Sequence, residues 1–231
     1  MEPPGKAHVF VRDLDTLEIS DEDHHHLARV LRLRPGDELT ASDGLGRWRR
    51  CRFGAPLEPT GTVETDDAPD PEITIAFALV KGERPELVVQ KLTEVGVDRI
   101  TPFVAERSVV HWDEHKAIRN HARLVTVARE AAMQSRRTWL PTVEPIAAFS
   151  DVAGRAGAAL TDRGGRPPTL AHPVLLVGPE GGWSERERSA DLPSIGLGPT
   201  VLRAETAAIV AGAALAGLRS ALFEPGDGHG G

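Results

Sequence analysis

This chain of 231 residues contains little cysteine, no tyrosine and no long apolar run. Cys51 is the only cysteine, tyrosine does not occur, and aromatic residues make up 4% of the chain. A single cysteine excludes a disulfide framework and a metal cluster built on several cysteines. The longest apolar run, residues 207–218, is far shorter than the roughly 20 residues of a membrane-spanning helix. Residues 1–11 lack the apolar core of a signal peptide, so we expect a soluble cytoplasmic protein with no membrane partner.

Positive charge is locally concentrated although the formal net charge is −7. That net charge does not by itself indicate a nucleic-acid-binding protein. Residues 24–53 and 99–139 are nevertheless rich in basic side chains, whereas acidic residues are concentrated in 13–23 and 64–72. A segregated distribution of this kind can bind a polyanion, but solvated helix faces explain either stretch equally well.

The sequence pattern changes at residues 64–72, which are acidic, contain proline and lack periodicity. Before this linker, short β-prone segments surround one helix that starts at Ser20, which predicts a small, mostly β barrel-like domain over residues 1–70. After it, strands alternate with helices, which predicts an α/β domain over 71–224 with a mostly parallel sheet covered on both faces. The glycine-rich tail, 225–231, is predicted to be disordered.

Two short apolar strands run directly into glycine-rich turns and then into helices. The first reads LLVGPEGGWS (175–184) and the second IGLGPTVLRAET (195–206). Ser184 and Glu187 form a predicted capping box, which places the first turn at the start of a helix and at the carboxyl end of a strand. We expect the two strands to be neighbours, so that the turns form one pocket walled by backbone. Simple tight turns without a ligand remain the alternative.

Two common nucleotide motifs are absent from these turns. The Lys-Ser/Thr ending of a phosphate-binding P-loop is missing, and so is the GxGxxG pattern of dinucleotide-binding folds. The last helix, from Glu205, is instead rich in alanine and glycine and permits close approach of another backbone. Such a helix suits packing on its own sheet as well as contact with a second subunit.

The combination GPEGG-aromatic-S-x-x-E and LG-x-x-VLR-x-ETA resembles the signature of SPOUT-class rRNA methyltransferases, and within that class the RsmE-type family. Similar segments are spread along nearly the whole chain. They are 31–37 (LRLRPGD), Lys81-Gly82, 90–97 (QKLTEVGV), 100–103 (ITPF), 106–108 (ERS), 129–136 (REAAMQSR) and Pro141.

The resemblance implies a C-terminal α/β domain with a deep trefoil knot, a PUA-like RNA-binding barrel before it, and a homodimer in which each subunit completes its partner's pocket. It also implies methylation of N3 of a uridine in 16S ribosomal RNA, with S-adenosyl-L-methionine as the methyl donor. The donor would lie in the knot, with its adenine among the backbone groups of the two turns. The implied binding residues are Leu176, Val177, Gly178, Pro179, Glu180, Gly181, Gly182, Ile195, Gly196, Leu197, Gly198, Val201 and Leu202.

The chemistry of this reaction requires no metal, because the methyl group of a sulfonium is already activated. Uracil N3 carries a proton, so a general base or a cation at O2 or O4 would lower the barrier. Arg203 and Glu205 follow the second turn directly and are the predicted catalytic residues. In the alternative interpretation, Glu205 is a carboxylate at a helix N-terminus and Arg203 is its ion-pair partner.

Contacts with RNA are predicted for arginines in both basic stretches. Those expected to bind phosphates or bases, while a flipped uridine provides specificity, are Arg29, Arg32, Arg34, Arg49, Arg50, Arg107 and Arg136. The run His24-His25-His26 is a poor metal site, because consecutive side chains of a helix point in different directions. A non-catalytic ribosome-assembly factor and a methyltransferase for another RNA site remain alternatives.

Overall fold

A computed structural model describes residues 5–80, 84–108, 110 and 112–223. The chain forms two compact units. The first comprises the residues up to Ala68 together with Arg129–Leu140. The second comprises Pro69–Ala128 and the residues from Pro141 onward.

The first unit is built on a five-stranded mixed sheet. Its strands are β1 (His8–Phe10), β2 (Glu38–Ser42), β3 (Arg47–Arg52), β4 (Glu58–Pro59) and β5 (Glu64–Thr65). Strand β1 runs parallel to β2, while β3 is antiparallel to β2, β4 and β5. Alternate residues of β2 and β3, such as Leu39, Ala41 and Cys51, enter the core of this unit. Burial raises the pKa of the Cys51 thiol to about 11, which makes it a core side chain rather than a nucleophile.

The helix predicted to start at Ser20 is present but divided. Ser20 caps helix α1 (Asp21–His25) by accepting a hydrogen bond from the Asp23 backbone N–H, at 3.0 Å. The segment His26–Val30 continues α1 as a π-helical turn. Leu27 is fully buried there, whereas Val30 is 60% exposed. The sequence of this helix predicts an apolar face of Leu27, Val30 and Leu31, but of these three side chains only Leu27 is buried.

An ion pair ties the segment Arg129–Leu140 to α1 within the first unit. The Arg129 guanidinium donates to both carboxylate oxygens of Asp23, at 2.8 and 2.9 Å, and to the Phe10 carbonyl. Burial opposes ionisation of Asp23, but the hydrogen bonds from Arg129 and Ser20 hold its pKa below the usual value. Arg129, part of the family-like segment 129–136, thus has a structural role here.

Acid is expected to destabilise the first unit through His8. This side chain is 2% exposed, and its Nδ1 lies 2.8 Å from Thr40 Oγ1. Burial lowers the His8 pKa from 6.5 to about 4; a hydrogen bond with the Arg137 backbone opposes this shift and the charge of Arg136 adds to it. Between these two pH values the unfolded chain binds the extra proton, so the free energy of unfolding decreases as the pH falls.

The full effect is about 3 kcal/mol between pH 6.5 and pH 4. Urea unfolding at pH 7.5 and pH 4.5 measures most of it. His8→Gln cannot take up this proton and should show a smaller loss of stability on acidification. An identical pH dependence in both proteins would refute this assignment.

The second unit is an α/β fold with a parallel sheet, which confirms the predicted fold class. Its strands are β6 (Thr74–Ala78), β7 (Arg99–Val104), β8 (Thr142–Val143), β9 (Ala147–Ala148), β10 (Ala158–Arg166), β11 (Val174–Val177) and β12 (Ser194–Ile195). The order is β12-β10-β11-β6-β7-β8, with β9 paired to β7, and every pairing is parallel.

The expectation that β11 and β12 are neighbours is wrong. Strand β10 lies between them: Leu160 pairs with Leu176 of β11 on one side and with Ser194 of β12 on the other. The two glycine turns therefore follow strands that are separated by one strand. The sequence pattern does not predict strand β10, because the second half of this strand, residues 161–166 (TDRGGR), has the composition of a turn.

Helices cover both faces of this sheet. They are α2 (Arg84–Glu94), α3 (Glu114–Gln134), α4 (Phe149–Ala153), α5 (Glu185–Arg188) and α6 (Ala204–Arg219), and α3 extends into the segment grouped with the first unit. Alternate strand residues serve opposite faces: Ile75 and Phe77 pack with α2 and α6, and Ala76 and Ala78 pack with α4. This alternation is the reason for the continuous apolar sequence of β6.

The small residues of α6 allow close packing on α2. A Cβ at Gly212 would lie 2.6 Å from Leu92 Cδ2 and 2.8 Å from Val97 Cγ2, closer than real contacts permit. The alanine- and glycine-rich sequence is therefore explained at this position by packing inside the second unit. Ile209, Val210 and Ala213 on the same helix are only partly buried.

Two sequence predictions concern residues outside the described part of the chain. These are the family-like pair Lys81-Gly82 and the tail 225–231. Among the described residues, no helix is both long and apolar enough to cross a membrane.

Candidate functional site

The first glycine turn forms one wall of a cavity at the carboxyl end of β11. The cavity residues from this turn are Val177, Gly178, Pro179, Glu180, Gly182 and Trp183. The predicted capping box is confirmed: Ser184 Oγ accepts from the Glu187 N–H at 3.1 Å, and Glu187 Oε2 accepts from the Ser184 N–H at 2.8 Å. This reciprocal pair fixes the point at which the turn enters α5.

The second glycine turn forms the opposite wall. Its cavity residues are Leu197, Gly198, Thr200, Val201 and Leu202, joined by Ala204 and Ala207 of α6. Arg203 is the N-cap residue of α6, and Glu205 lies in the first turn of this helix. The two turns thus share one cavity, as expected, although their strands are not neighbours.

A third wall comes from the middle of β10. Thr161, Asp162 and Arg163 line the cavity between the two turns. The Trp183 indole N–H donates to the Thr161 carbonyl at 2.9 Å, and its ring stacks on Phe103 at 6.1 Å between centroids. Trp183 therefore anchors the third wall to the first turn.

Gly165 holds the same strand against β12 and the second turn. A Cβ at this position would lie 2.5 Å from the Ile195 carbonyl carbon and 2.6 Å from the Gly196 nitrogen, both backbone atoms. The Gly196 N–H also donates to the Arg166 carbonyl at 2.9 Å. Only glycine fits between these backbones, so Gly165 brings the third wall and the second turn together.

The cavity encloses about 200 Å³ and combines apolar side chains with main-chain polar groups. Val177, Leu197, Val201 and Leu202 provide apolar surface, and the glycine turns provide N–H and C=O groups. This combination suits a flat heterocycle with polar edges, such as adenine, attached to a polar chain. The residues present therefore fit an adenosyl cofactor.

Nine of the thirteen predicted cofactor residues line this cavity, and four do not. Leu176 and Ile195 lie in the core, Gly181 contacts Arg107, and Gly196 packs on Gly165. Their roles in cofactor binding stay predictions. Thr161, Asp162 and Arg163 of β10 were not predicted as site residues, because residues 161–166 have the composition of a turn.

Arg84 lies between the acidic residues of the two turns. Its Nη1 is 3.5 Å from Glu180 Oε1, and its Nε is 3.6 Å from Glu205 Oε1. Glu205 is 9% exposed, and its Oε2 has no hydrogen-bond partner within the described chain. The alternative interpretation paired Glu205 with Arg203, whereas the structure pairs Glu205 with Arg84 and leaves Arg203 exposed. The sequence does not predict a role for Arg84, because its position beside Glu180 and Glu205 depends on how α2 packs.

Arg107 is held at the first turn by a hydrogen bond to the Gly181 carbonyl, on a loop that the buried Glu187 carboxylate fixes. Glu187 Oε1 accepts from the Glu106 N–H at 2.9 Å, which fixes the loop after β7. Arg107 Nη1 then donates to the Gly181 carbonyl at 3.1 Å, while the side chain stays exposed. Glu187 therefore orders both the helix start and the loop that carries Arg107.

The predicted RNA-contacting arginines of the first unit differ in their surroundings. Arg29, Arg32, Arg34 and Arg50 are exposed, and Arg136 is half-buried. Arg49 instead donates to the Gly61 and Leu14 carbonyls through three nitrogens, at 2.7–3.2 Å. Arg49 therefore holds backbone segments together within this unit, and its contact with RNA stays a prediction.

Across residues 5–80, 84–108, 110 and 112–223, no group of three or more His, Cys, Asp or Glu side chains is arranged to hold a metal ion. His24, in the histidine run, stacks on Phe53 with centroids 5.2 Å apart.

Known proteins resemble this chain over most of its length. An RNA methyltransferase domain model matches residues 67–216, and an RNA methyltransferase PUA domain model matches 19–56. Ribosomal RNA small subunit methyltransferase E of Mycobacterium bovis is 34% identical, covering 84% of this chain and 83% of that protein. The corresponding protein of Bacillus subtilis is 30% identical, with coverages of 87% and 90%.

Solved structures agree with these relatives. A ribosomal RNA small subunit methyltransferase E from Neisseria gonorrhoeae, bound to S-adenosyl methionine, superposes with a TM-score of 0.75. It is 27% identical and covers 93% of this chain and 97% of its own. The domain matches confirm the predicted PUA-like unit. By sequence, domain content and fold, the chain belongs to the RsmE-type family of ribosomal RNA small subunit methyltransferases.

Proposed function

We propose that this protein methylates N3 of a uridine in 16S ribosomal RNA, with S-adenosyl-L-methionine as the methyl donor. The observation that carries the proposal is the cavity in which both glycine turns meet, in a chain of this family. The Neisseria gonorrhoeae relative is bound to S-adenosyl methionine, which supports the same cofactor here. Binding of the adenosine is assigned to the cavity-lining residues of the two turns, with Leu176, Gly181, Ile195 and Gly196 supporting them.

S-Adenosyl-L-methionine, when bound, supplies a methyl group on a positively charged sulfur. The protein must then position the uracil for an in-line displacement and exclude water. Glu205 is the proposed base for the N3 proton, because it is buried beside the second turn with one carboxylate oxygen unpaired within the described chain. Arg203 is the proposed cation for the negative charge that develops on O2 or O4.

The RNA is proposed to bind through the basic stretches. Arg29, Arg32, Arg34 and Arg50 expose their guanidinium groups on the first unit. Arg107 and Arg136 are the further proposed contacts to phosphates or bases. A uridine turned out of its stack would then enter the catalytic site.

Arg50 and Arg49 are adjacent on β3 and make a matched pair for testing this division. Arg50→Ala is expected to weaken rRNA binding and reduce its dependence on salt by about one phosphate contact, with S-adenosylhomocysteine affinity unchanged. Arg49→Ala is expected mainly to lower the free energy of unfolding, because it leaves the Gly61 and Leu14 carbonyls without their donors. Binding titrations at several salt concentrations and urea unfolding separate these effects. A parallel loss of cofactor affinity in Arg50→Ala would contradict the division of labour.

Three finer features complete the proposal. The protein acts as a homodimer whose partner subunit covers the cavity mouth. The exposure of Val201, a cavity residue that is 74% exposed, supports this.

The second unit contains the deep trefoil knot implied by the family resemblance. The enzyme works in the cytoplasm, on ribosomal RNA or the small ribosomal subunit.

Calorimetric titration with S-adenosyl-L-methionine tests the cofactor assignment. Saturable binding of one molecule per chain is the expected result. Absence of binding would refute the methyltransferase proposal and favour a ribosome-assembly factor that retains the fold.

A further inference from the structure

The cavity is lined by three charged side chains, Asp162, Arg163 and Glu180. They differ in whether a side chain of opposite charge pairs with them. Asp162 is paired with Arg188 of α5, and Glu180 is paired with Arg84 of α2. Within the described chain, Arg163 has no carboxylate within ion-pair distance. It is thus the one cation among the cavity-lining residues given by the structure, and the acidic residues beside it are engaged elsewhere.

The backbone that carries Arg163 is fixed on both sides. The Thr161 carbonyl accepts from the Trp183 indole, and the Arg166 carbonyl accepts from the Gly196 N–H. The Arg163 N–H itself donates to Asp162 Oδ1 at 2.8 Å. The guanidinium therefore extends from an anchored part of β10, which lowers the entropic cost of holding an anion there.

The proposed cofactor carries one group that requires such a partner. Its adenosine is neutral and suits the apolar surface of Val177, Leu197 and Leu202, whereas its amino-acid end carries a carboxylate. A guanidinium binds a carboxylate through two parallel hydrogen bonds, and no other cavity-lining residue offers that geometry. We propose that Arg163 binds the carboxylate of the cofactor's amino-acid end. This inference rests on the proposed function and assigns a residue that sets cofactor specificity.

Two thioether ligands that differ only in this end provide the test. S-Adenosylhomocysteine keeps the amino-acid group, and 5′-methylthioadenosine replaces it with a methyl group. In calorimetric titrations, Arg163→Ala should weaken binding of S-adenosylhomocysteine about 10- to 100-fold and leave binding of 5′-methylthioadenosine unchanged. Arg163→Lys should recover part of the loss. Arg166→Ala, an exposed arginine of the same strand that does not line the cavity, is the matched control.

The outcomes separate this inference from the function on which it rests. Equal losses for both ligands would show that Arg163 shapes the cavity, and an unchanged affinity for S-adenosylhomocysteine would show that it makes no contact; either overturns the inference alone. A wild-type protein that binds neither ligand overturns the proposed function together with it. Thermal unfolding of each variant, expected to match wild type because Arg163 is exposed, excludes misfolding as the cause.

Discussion

Replacing Glu205 by glutamine is expected to lower kcat for rRNA methylation about 10²- to 10⁴-fold, the contribution typical of a positioned general base. Glutamine keeps the size of the side chain but cannot accept the N3 proton. Affinity for S-adenosylhomocysteine should stay within about threefold of wild type, because Glu205 is not among the cavity-lining residues. Methyl transfer from labelled cofactor to small ribosomal subunits measures kcat, and calorimetry measures the affinity.

Stability distinguishes catalysis from helix capping at Glu205. A carboxylate in the first turn of a helix contributes about 0.3–1 kcal/mol through the helix dipole, whereas an unpaired buried oxygen costs about 1–3 kcal/mol. Glutamine also leaves a buried polar atom unpaired and loses the ion pair with Arg84, so Glu205→Gln should lower the free energy of unfolding by about 1 kcal/mol. Glu185→Gln, which changes an exposed carboxylate in the first turn of α5, is the matched control and should keep full kcat. If Glu205→Gln loses stability but retains kcat, Glu205 stabilises the start of α6 and has no catalytic role.

Replacing Gly165 by alanine is expected to disrupt the cavity. The new methyl group would lie within 2.7 Å of three backbone atoms of Ile195 and Gly196, which no side-chain rotation can relieve. Overpacking of this kind costs about 1–3 kcal/mol, and strain of about 3 kcal/mol at the site corresponds to a loss of about 100-fold in cofactor affinity. Calorimetry with S-adenosylhomocysteine measures the affinity, and urea unfolding measures the stability.

Gly164→Ala is the control for this effect. Gly164 has φ +75°, and nothing lies within 4 Å of a Cβ at that position. Alanine there should cost about 1–2 kcal/mol of backbone strain without moving β12, so cofactor affinity should change little. Equal affinities in Gly164→Ala and Gly165→Ala would contradict the role of Gly165 in joining the two walls.

Features that depend on local chemistry could be predicted from sequence. The capping box of Ser184 and Glu187 requires only residues three positions apart, and it is present. The alternation of strands and helices predicted the parallel sheet, because each apolar run must be buried on both faces. The glycine-rich motif around Gly178 is also local in sequence, and it predicted the first wall of the cavity correctly.

Features that depend on tertiary packing could not be predicted from the sequence. Strand β10 is inserted between β11 and β12, and nothing in its composition indicates its neighbours. Its residues Asp162 and Arg163 were therefore missed as the third wall. Arg84 reaches Glu205 from another helix, whereas the alternative interpretation paired Glu205 with its sequence neighbour Arg203. Arg49 and Arg50 are indistinguishable as sequence letters, yet within the described part of the chain only the Arg49 guanidinium donates to backbone carbonyls.

Mass spectrometry of nucleosides tests the central claim most directly. Small ribosomal subunits from a strain that lacks the gene would be incubated with the purified protein and S-adenosyl-L-methionine. The 16S RNA would then be digested and analysed. We predict that N3-methyluridine is absent before incubation, appears after it, and forms about 10²- to 10⁴-fold more slowly with Glu205→Gln. N3-methyluridine already present in the deletion strain, or a different methylated nucleoside after incubation, would contradict the account.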